Sequence, residues 1–155
     1  MKTFEELKQE LLDRAKNADA CTAGYRMGLE AASKADLLKA ITANWVWVLR
    51  TAKIVDASFL EENFTEEELS EAGIYTKKEH VIKTIAFACG SATVKAYGSA
   101  TVKACGSATV EAYDNSYVED CHGGIIPQSE YAIVKDYSNH KIYIKKGSFE
   151  IIEVE

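Results

Sequence analysis

Polar and apolar residues in the second half of the chain alternate within a repeating unit of eight residues. Three copies run from Gly90 to Tyr113, reading Gly-Ser-Ala-Thr-Val-Lys-Ala-Tyr with small changes, and a diverged fourth copy ends at Cys121. A short fixed period that is rich in β-branched residues and has a recurrent glycine is typical of a solenoid, whose copies bury their apolar sides by stacking. The pattern therefore predicts a β-solenoid.

One column of the repeat is expected to face the interior, because side chains alternate between the two sides of a strand. When the register is extended from Ile82 to Lys145, the fifth position of every copy is apolar, and we expect this column to be buried. Its members are Ala86, Val94, Val102, Val110, Val118, Ile126, Val134 and Ile142. Ser91, Thr93 and Lys95 lie out of phase with it and should face solvent.

The spacing of cysteine and tyrosine bears on the number of copies in each coil, which is two or three for an eight-residue unit. Cys89, Cys105 and Cys121 are sixteen residues apart, and Tyr97 and Tyr113 alternate with them at the same spacing. A coil of two copies would stack like residues on like at roughly 4.8 Å. Small interior Ala and Val residues also suit two close sheets better than a wide triangular interior. Both observations favour two copies, with a three-sided coil as the alternative.

Residues 1–80 show helical periodicity instead. Capping boxes at Thr3–Glu6, Ser33–Asp36 and Thr65–Glu68 predict three helix starts. The helix that opens at Ser33 is apolar around most of its circumference up to Leu49, so we expect it to be the central buried helix. The sequence thus predicts an α+β protein with an α-helical capping domain over 1–80 and a β-solenoid over 81–155.

A second helix is predicted from about Asp19 to Ala32. Its Gly24 and Gly28 lower helix propensity and suggest that another helix approaches closely. Trp47 lies off the main apolar stripe of the following helix. It is either an anchor for a partner or a residue that docks onto the end of the solenoid.

The two ends of a solenoid expose unpaired strand edges, which favour aggregation unless they are covered. The helical domain is expected to cap one end. At the other end, Lys141–Val154 is predicted to form a hairpin that turns at Lys146–Gly147, with glutamates that oppose edge pairing.

Composition narrows the functional classes. The 155 residues are 47% hydrophobic with a net charge of −6, and there is no apolar run of membrane-spanning length and no secretory signal at the start. We therefore expect a cytoplasmic protein. An acidic chain without a basic stripe is not expected to bind nucleic acid directly.

No catalytic or cofactor motif can be assembled from the sequence. His80, His122 and His140 are scattered, so we expect no enzyme activity and no bound cofactor. The cysteines of the repeat are predicted to be small packing residues. A metal site at Asp120–His122 is not expected, because neighbours in a strand point to opposite sides.

A binding role follows from the regular polar surface of a solenoid. With sixteen residues per coil, Lys95 lies over Glu111, and Lys103, Glu119 and Lys135 form an alternating column. The predicted partner-binding residues are Trp47, Lys95, Tyr97, Lys103, Glu111, Tyr113 and Tyr117. We expect a protein-interaction module that self-associates as a homodimer.

The octapeptide run Gly90–Tyr97 resembles repeats in uncharacterised proteins of bacteriophages and gut bacteria, where helical leaders precede longer arrays. The resemblance covers about residues 20–121. It implies an origin on a mobile element and no assigned activity. The alternative functions are therefore a phage inhibitor that blocks a host factor such as a defence nuclease, and a structural scaffold.

Overall fold

The computed structural model describes residues 1–155 and consists of an N-terminal helical region followed by a parallel β-solenoid of about four turns. The helical region contains α1 (Phe4–Asn17), α2 (Thr22–Glu30), α3 (Lys34–Ala43), a π-helical turn (Trp47–Thr51), α4 (Ala57–Asn63) and α5 (Glu66–Glu71). The strands are β1 (Ile74–Tyr75), β2 (Glu79–Ile82), β3 (Ile85–Ala88), β4 (Thr93–Ala96), β5 (Thr101–Ala104), β6 (Thr109–Ala112), β7 (Tyr117–Asp120), β8 (Ile133–Asp136) and β9 (Lys141–Tyr143). None of the helices has both the length and the apolar character needed to span a bilayer.

Side-chain caps begin the helices where the sequence predicted them. The Thr3 hydroxyl accepts from the Glu6 N–H at 3.3 Å, and the Glu6 carboxylate accepts from the Thr3 N–H at 2.9 Å. The box that begins α5 has the same two bonds. At α3 the Ser33 hydroxyl accepts from the Asp36 N–H, whereas the Asp36 carboxylate accepts from the Ala32 N–H. These bonds satisfy N–H groups that have no partner within the helix.

The solenoid has two strands per coil, as the cysteine and tyrosine spacing indicated. One sheet has six strands in the order β1-β3-β5-β7-β8-β9, and the other has three in the order β2-β4-β6. Thr93 pairs with Thr109 and Thr101 pairs with Tyr117, so stacked strands are sixteen residues apart. The prediction of a sixteen-residue coil is confirmed.

The predicted interior column is confirmed at six of its eight positions. Ala86, Val94, Val102, Val110, Val118 and Val134 are all buried. Ile126 is 56% exposed, and Ile125 is buried in its place. The cause is the loop at His122–Gly124, after which Pro127 pairs with Ala112 at a spacing of fifteen residues instead of sixteen.

The last predicted copy and the predicted hairpin are wrong. β9 pairs antiparallel with β8, so the chain reverses at Tyr137–His140, and Ile142 is 66% exposed. The Asp136 carboxylate closes this turn by accepting the backbone N–H groups of Ser138 and Asn139. The Ser148 N–H does bond to the Lys145 carbonyl at the predicted turn, but no strand follows it.

The helical region packs along a lateral edge of the solenoid. The buried cluster that contains the helix side chains also contains Cys89, Cys105 and Cys121, one from each of three successive coils. Arg50 extends this contact by donating to the Tyr137 carbonyl at 3.1 Å. The helices were expected to cap an end, and these contacts place them beside several coils.

Gly90 sits where this packing is closest. Its φ is +61°, and a Cβ there would lie 2.6 Å from the Thr76 carbonyl oxygen and 2.7 Å from the Ala57 Cβ. Only glycine combines a positive φ with so little space. The recurrent glycine of the repeat therefore also allows the helices to dock at this corner.

Candidate interaction surfaces

Four of the predicted partner-binding residues lie together on the three-stranded sheet and the corner after it. The rings of Tyr97 and Tyr113 stack with centroids 4.8 Å apart and planes 6° from parallel. The Tyr113 hydroxyl donates to the Glu111 carboxylate at 2.8 Å, and this bond raises the pKa of Tyr113. Lys95 lies in register with Glu111, as predicted, but its ion pair is with Glu79 at 3.2 Å. We call Lys95, Tyr97, Glu111 and Tyr113 the tyrosine surface.

Lys103 and Tyr117 lie on the other sheet. Lys103 pairs with Glu119 at 3.4 Å, and the Lys135 ammonium lies 4.8 Å from the centroid of the Tyr137 ring. Burial is the main cause of the raised pKa of Tyr117, followed by the Glu119 charge. The structure therefore divides the predicted solenoid residues between two sheets.

Trp47 lies apart from both sheets and lines a cavity inside the helical region. This cavity has a volume of about 340 Å³ and lies between α1, α2, α3 and the π-helical turn; we call it the helical cavity. Its lining is mostly apolar and includes Leu12, Tyr25 and Ala40. The tryptophan that pairs with a solenoid side chain is Trp45, whose ring centroid is 5.4 Å from that of Phe87.

Helix α2 forms one wall of the helical cavity and has no buried residue of its own. It approaches its neighbours closely at its two glycines, as the sequence suggested. A Cβ at Gly28 would lie 3.3 Å from the Leu12 side chain, and one at Gly24 would lie 3.2 Å from the Asn44 amide oxygen. The backbone of α2 therefore packs against its neighbours at the two glycines, while the helical cavity remains between α2 and the other helices.

The cysteines of the repeat form the predicted column and are buried free thiols. Burial is the main cause that raises the pKa of Cys89 to about 12. Hydrogen bonding to Cys121, together with burial, raises the pKa of Cys105. Cys21 differs, because it is exposed at the start of α2 and lines the helical cavity.

In dilute native protein, where copies are separate, only the Cys21 thiol is expected to react rapidly with dithionitrobenzoate. The attacking species is the thiolate, and a pKa near 12 leaves Cys89 protonated at about pH 8. The pKa of Cys105 is also raised. The hydrogen bond with Cys105 lowers the pKa of Cys121, but this thiol is only 5% exposed, so the reagent does not reach it. The absorbance of the released thionitrobenzoate should correspond to one thiol in buffer and four in denaturant. Rapid release from a second thiol in buffer would show that the column is accessible.

The histidines and nearby acids occupy separate elements. The ring centroids of His80 and Tyr75 are 4.2 Å apart. His122 is exposed. The buried Asp120 carboxylate accepts the N–H groups of His122, Gly123 and Ile125, so it shapes the loop. No group of three or more His, Cys, Asp or Glu side chains is arranged to hold a metal ion.

Asp136 has the corresponding role in the next coil. Its hydrogen bond from the Asn139 side chain is the largest of several that lower its pKa to about 2. This carboxylate remains ionised throughout the neutral range, and it stabilises the β8–β9 turn.

Four exposed aliphatic side chains lie in β9 and in the segment that follows it, and sequence reasoning missed them. Ile151, Ile152 and Val154 are 76%, 73% and 88% exposed, and Ile142 of β9 is also exposed. Phe149 is in edge-to-face contact with Tyr131, with centroids 6.1 Å apart. The mixture of aliphatic residues and glutamates after Ser148 was interpreted as a hairpin strand, but no neighbouring strand pairs with it.

Comparisons of the chain with protein-family models, curated proteins and solved structures found no match.

Proposed function

We propose that this chain is a non-catalytic protein-interaction module that associates with further copies of itself. The observation that carries the proposal is the uncovered aliphatic group at the C-terminal end of the solenoid, Ile142, Ile151, Ile152 and Val154. Exposed apolar side chains favour association because burying them removes apolar surface from water. The non-catalytic part is supported by the wide separation of the histidines along the chain and by the structural role of Asp120.

The strand edge at this end adds to the support. β9 is the last strand of the six-stranded sheet, and it pairs on one side only, with β8. An unpaired edge of this kind favours contact with another chain unless it is covered. Association with another copy through this end would cover the aliphatic side chains and bring a second copy near the edge, and a closed dimer would limit further growth.

Two differently tagged copies of the full chain, expressed together, test this proposal. Capture through one tag is expected to recover the other copy in comparable amount. The matched control replaces Tyr97→Ala and Tyr113→Ala, which removes the stacked rings and leaves the aliphatic group unchanged, so recovery should persist. Recovery of only the captured copy would contradict self-association, and loss of recovery in the tyrosine variant would move the interface to the tyrosine surface.

A further inference from the structure

We infer that the segment 149–155 of one copy binds in the helical cavity of another copy. This inference rests on the proposed self-association and specifies its contact. It joins the two features of the molecule that lack a partner of their own: an apolar cavity in the helical region and an exposed aliphatic segment beyond the solenoid.

The helical cavity has the size and chemistry to receive aliphatic side chains. At about 340 Å³ it is at the small end of ligand sites, and it suits a few side chains better than a folded surface. Polar side-chain groups among its lining residues are few: the Tyr25 hydroxyl, the Asn44 amide, the Trp47 indole N–H, the Cys21 thiol and one carboxylate, Asp19. A π-helical turn, a feature often found at functional sites, contributes Trp47 to its wall.

The segment matches this chemistry. Its sequence, Phe-Glu-Ile-Ile-Glu-Val-Glu, places four apolar side chains among three glutamates. The structure gives it no regular secondary structure, so it can enter a narrow cavity in an extended form. Ile151, Ile152 and Val154 are almost free of contacts within their own copy.

Charge favours the same pairing. Lys16, Arg26 and Lys53 are exposed, and each follows or precedes a cavity-lining residue in the chain. None of these three side chains forms an ion pair within the protein. The glutamates of the segment are also unpaired, so docking would bring unmatched cations and anions together, opposed by Asp19 in the lining and by the exposed Asp13 next to Leu12.

Docking between copies has a definite geometric consequence. If two copies each place their segment in the other's cavity, the contact closes as a dimer. If the exchange is not reciprocal, the same contact propagates from copy to copy as an open chain. Reciprocal exchange agrees with the homodimer expected from the sequence.

A peptide of residues 148–155, added to the full chain carrying Ile151→Asp and Ile152→Asp, tests the inference directly. These changes disable the protein's own segment while leaving the cavity intact. The peptide should produce a saturable change in Trp47 fluorescence and slow the reaction of Cys21 with dithionitrobenzoate by about tenfold. A peptide with the same two aspartates should do neither, and Trp47→Phe in the receiving chain should abolish the fluorescence change.

Two variants of the chain that binds the peptide test whether the helical cavity is the binding site. Arg26→Glu with Lys53→Glu changes only exposed side chains and should weaken peptide binding by about tenfold. Ala40→Phe should abolish binding by filling the cavity, with the melting curve as a check that it folds. Binding that is unchanged in both variants would overturn the inference.

The remaining outcomes separate this inference from the proposed function. The matched control for the Ile151→Asp, Ile152→Asp chain is Val81→Asp, which also adds charge at an exposed aliphatic residue. If both variants self-associate as strongly as wild type, the proposed self-association stands, but the segment is not the contact that produces it. If wild type is monomeric while its Cys21 is protected, the segment occupies its own cavity and both proposals fail. If an apolar fluorescent probe binds the cavity and the peptide does not displace it, the cavity is a small-molecule site and the inference is overturned.

Discussion

Val102→Asp is expected to lower the free energy of unfolding by about 3–5 kcal/mol, because it places an unpaired charge between two packed sheets. Val102 is fully buried, and its stacked neighbours in the same column are Ala86 and Val118. Neither neighbour can donate a hydrogen bond to a carboxylate or carry a charge that pairs with it. Thermal and urea melts followed by circular dichroism measure the effect.

Thr109→Asp is the matched control for this substitution. Thr109 occupies a strand of an equivalent repeat copy, but its side chain is exposed, so the same new charge should change stability by less than about 1 kcal/mol. Melts of Val102→Asp that coincide with those of Thr109→Asp would show that the assigned interior and exterior of the coil are wrong.

Deleting one repeat copy should be far more damaging than deleting two. Removal of Gly98–Tyr113 takes out one complete coil, β5 and β6, so every later strand stays in its own sheet and Cys121 stacks over Cys89. Removal of Gly98–Cys105 alone moves all later strands to the opposite sheet. Tyr113 would then occupy the place of Cys105 against the helices, where close packing does not accept the added volume.

The sixteen-residue deletion is therefore expected to unfold cooperatively at a reduced melting temperature, whereas the eight-residue deletion should lose cooperative unfolding. Both deletions remove only repeat copies, so their comparison isolates the register of the coil. Equal melting behaviour of the two would contradict the assignment of two copies to each coil.

The regular part of the fold could be predicted because the spacing of residues in the repeat indicates how many residues form one coil. The coincident spacing of Cys89, Cys105 and Cys121 with the two tyrosines determines how strands stack, and the structure confirms it. Prediction failed where a local interaction changed the register. Gly123 and Gly124, both at positive φ, form a loop that shifts the chain before Ile126, and Asp136 closes a turn that reverses it before Ile142.

The candidate surfaces were harder to predict, because they depend on packing between elements. The tyrosine surface follows from the coil and was anticipated. The helical cavity lies beside α2, which approaches its neighbours at Gly24 and Gly28 but has no fully buried residue, and no periodicity in the sequence indicates this space. The two tryptophans separate for a local reason: they are two residues apart on helical backbone, and residues at this spacing do not share a helix face.

Light scattering of the unmodified chain, from micromolar to millimolar concentration, directly measures whether this protein binds further copies of itself. We expect a weight-average mass that rises with concentration from the 17.1 kDa of one chain toward twice that value. A mass that stays at 17.1 kDa throughout the series would contradict it.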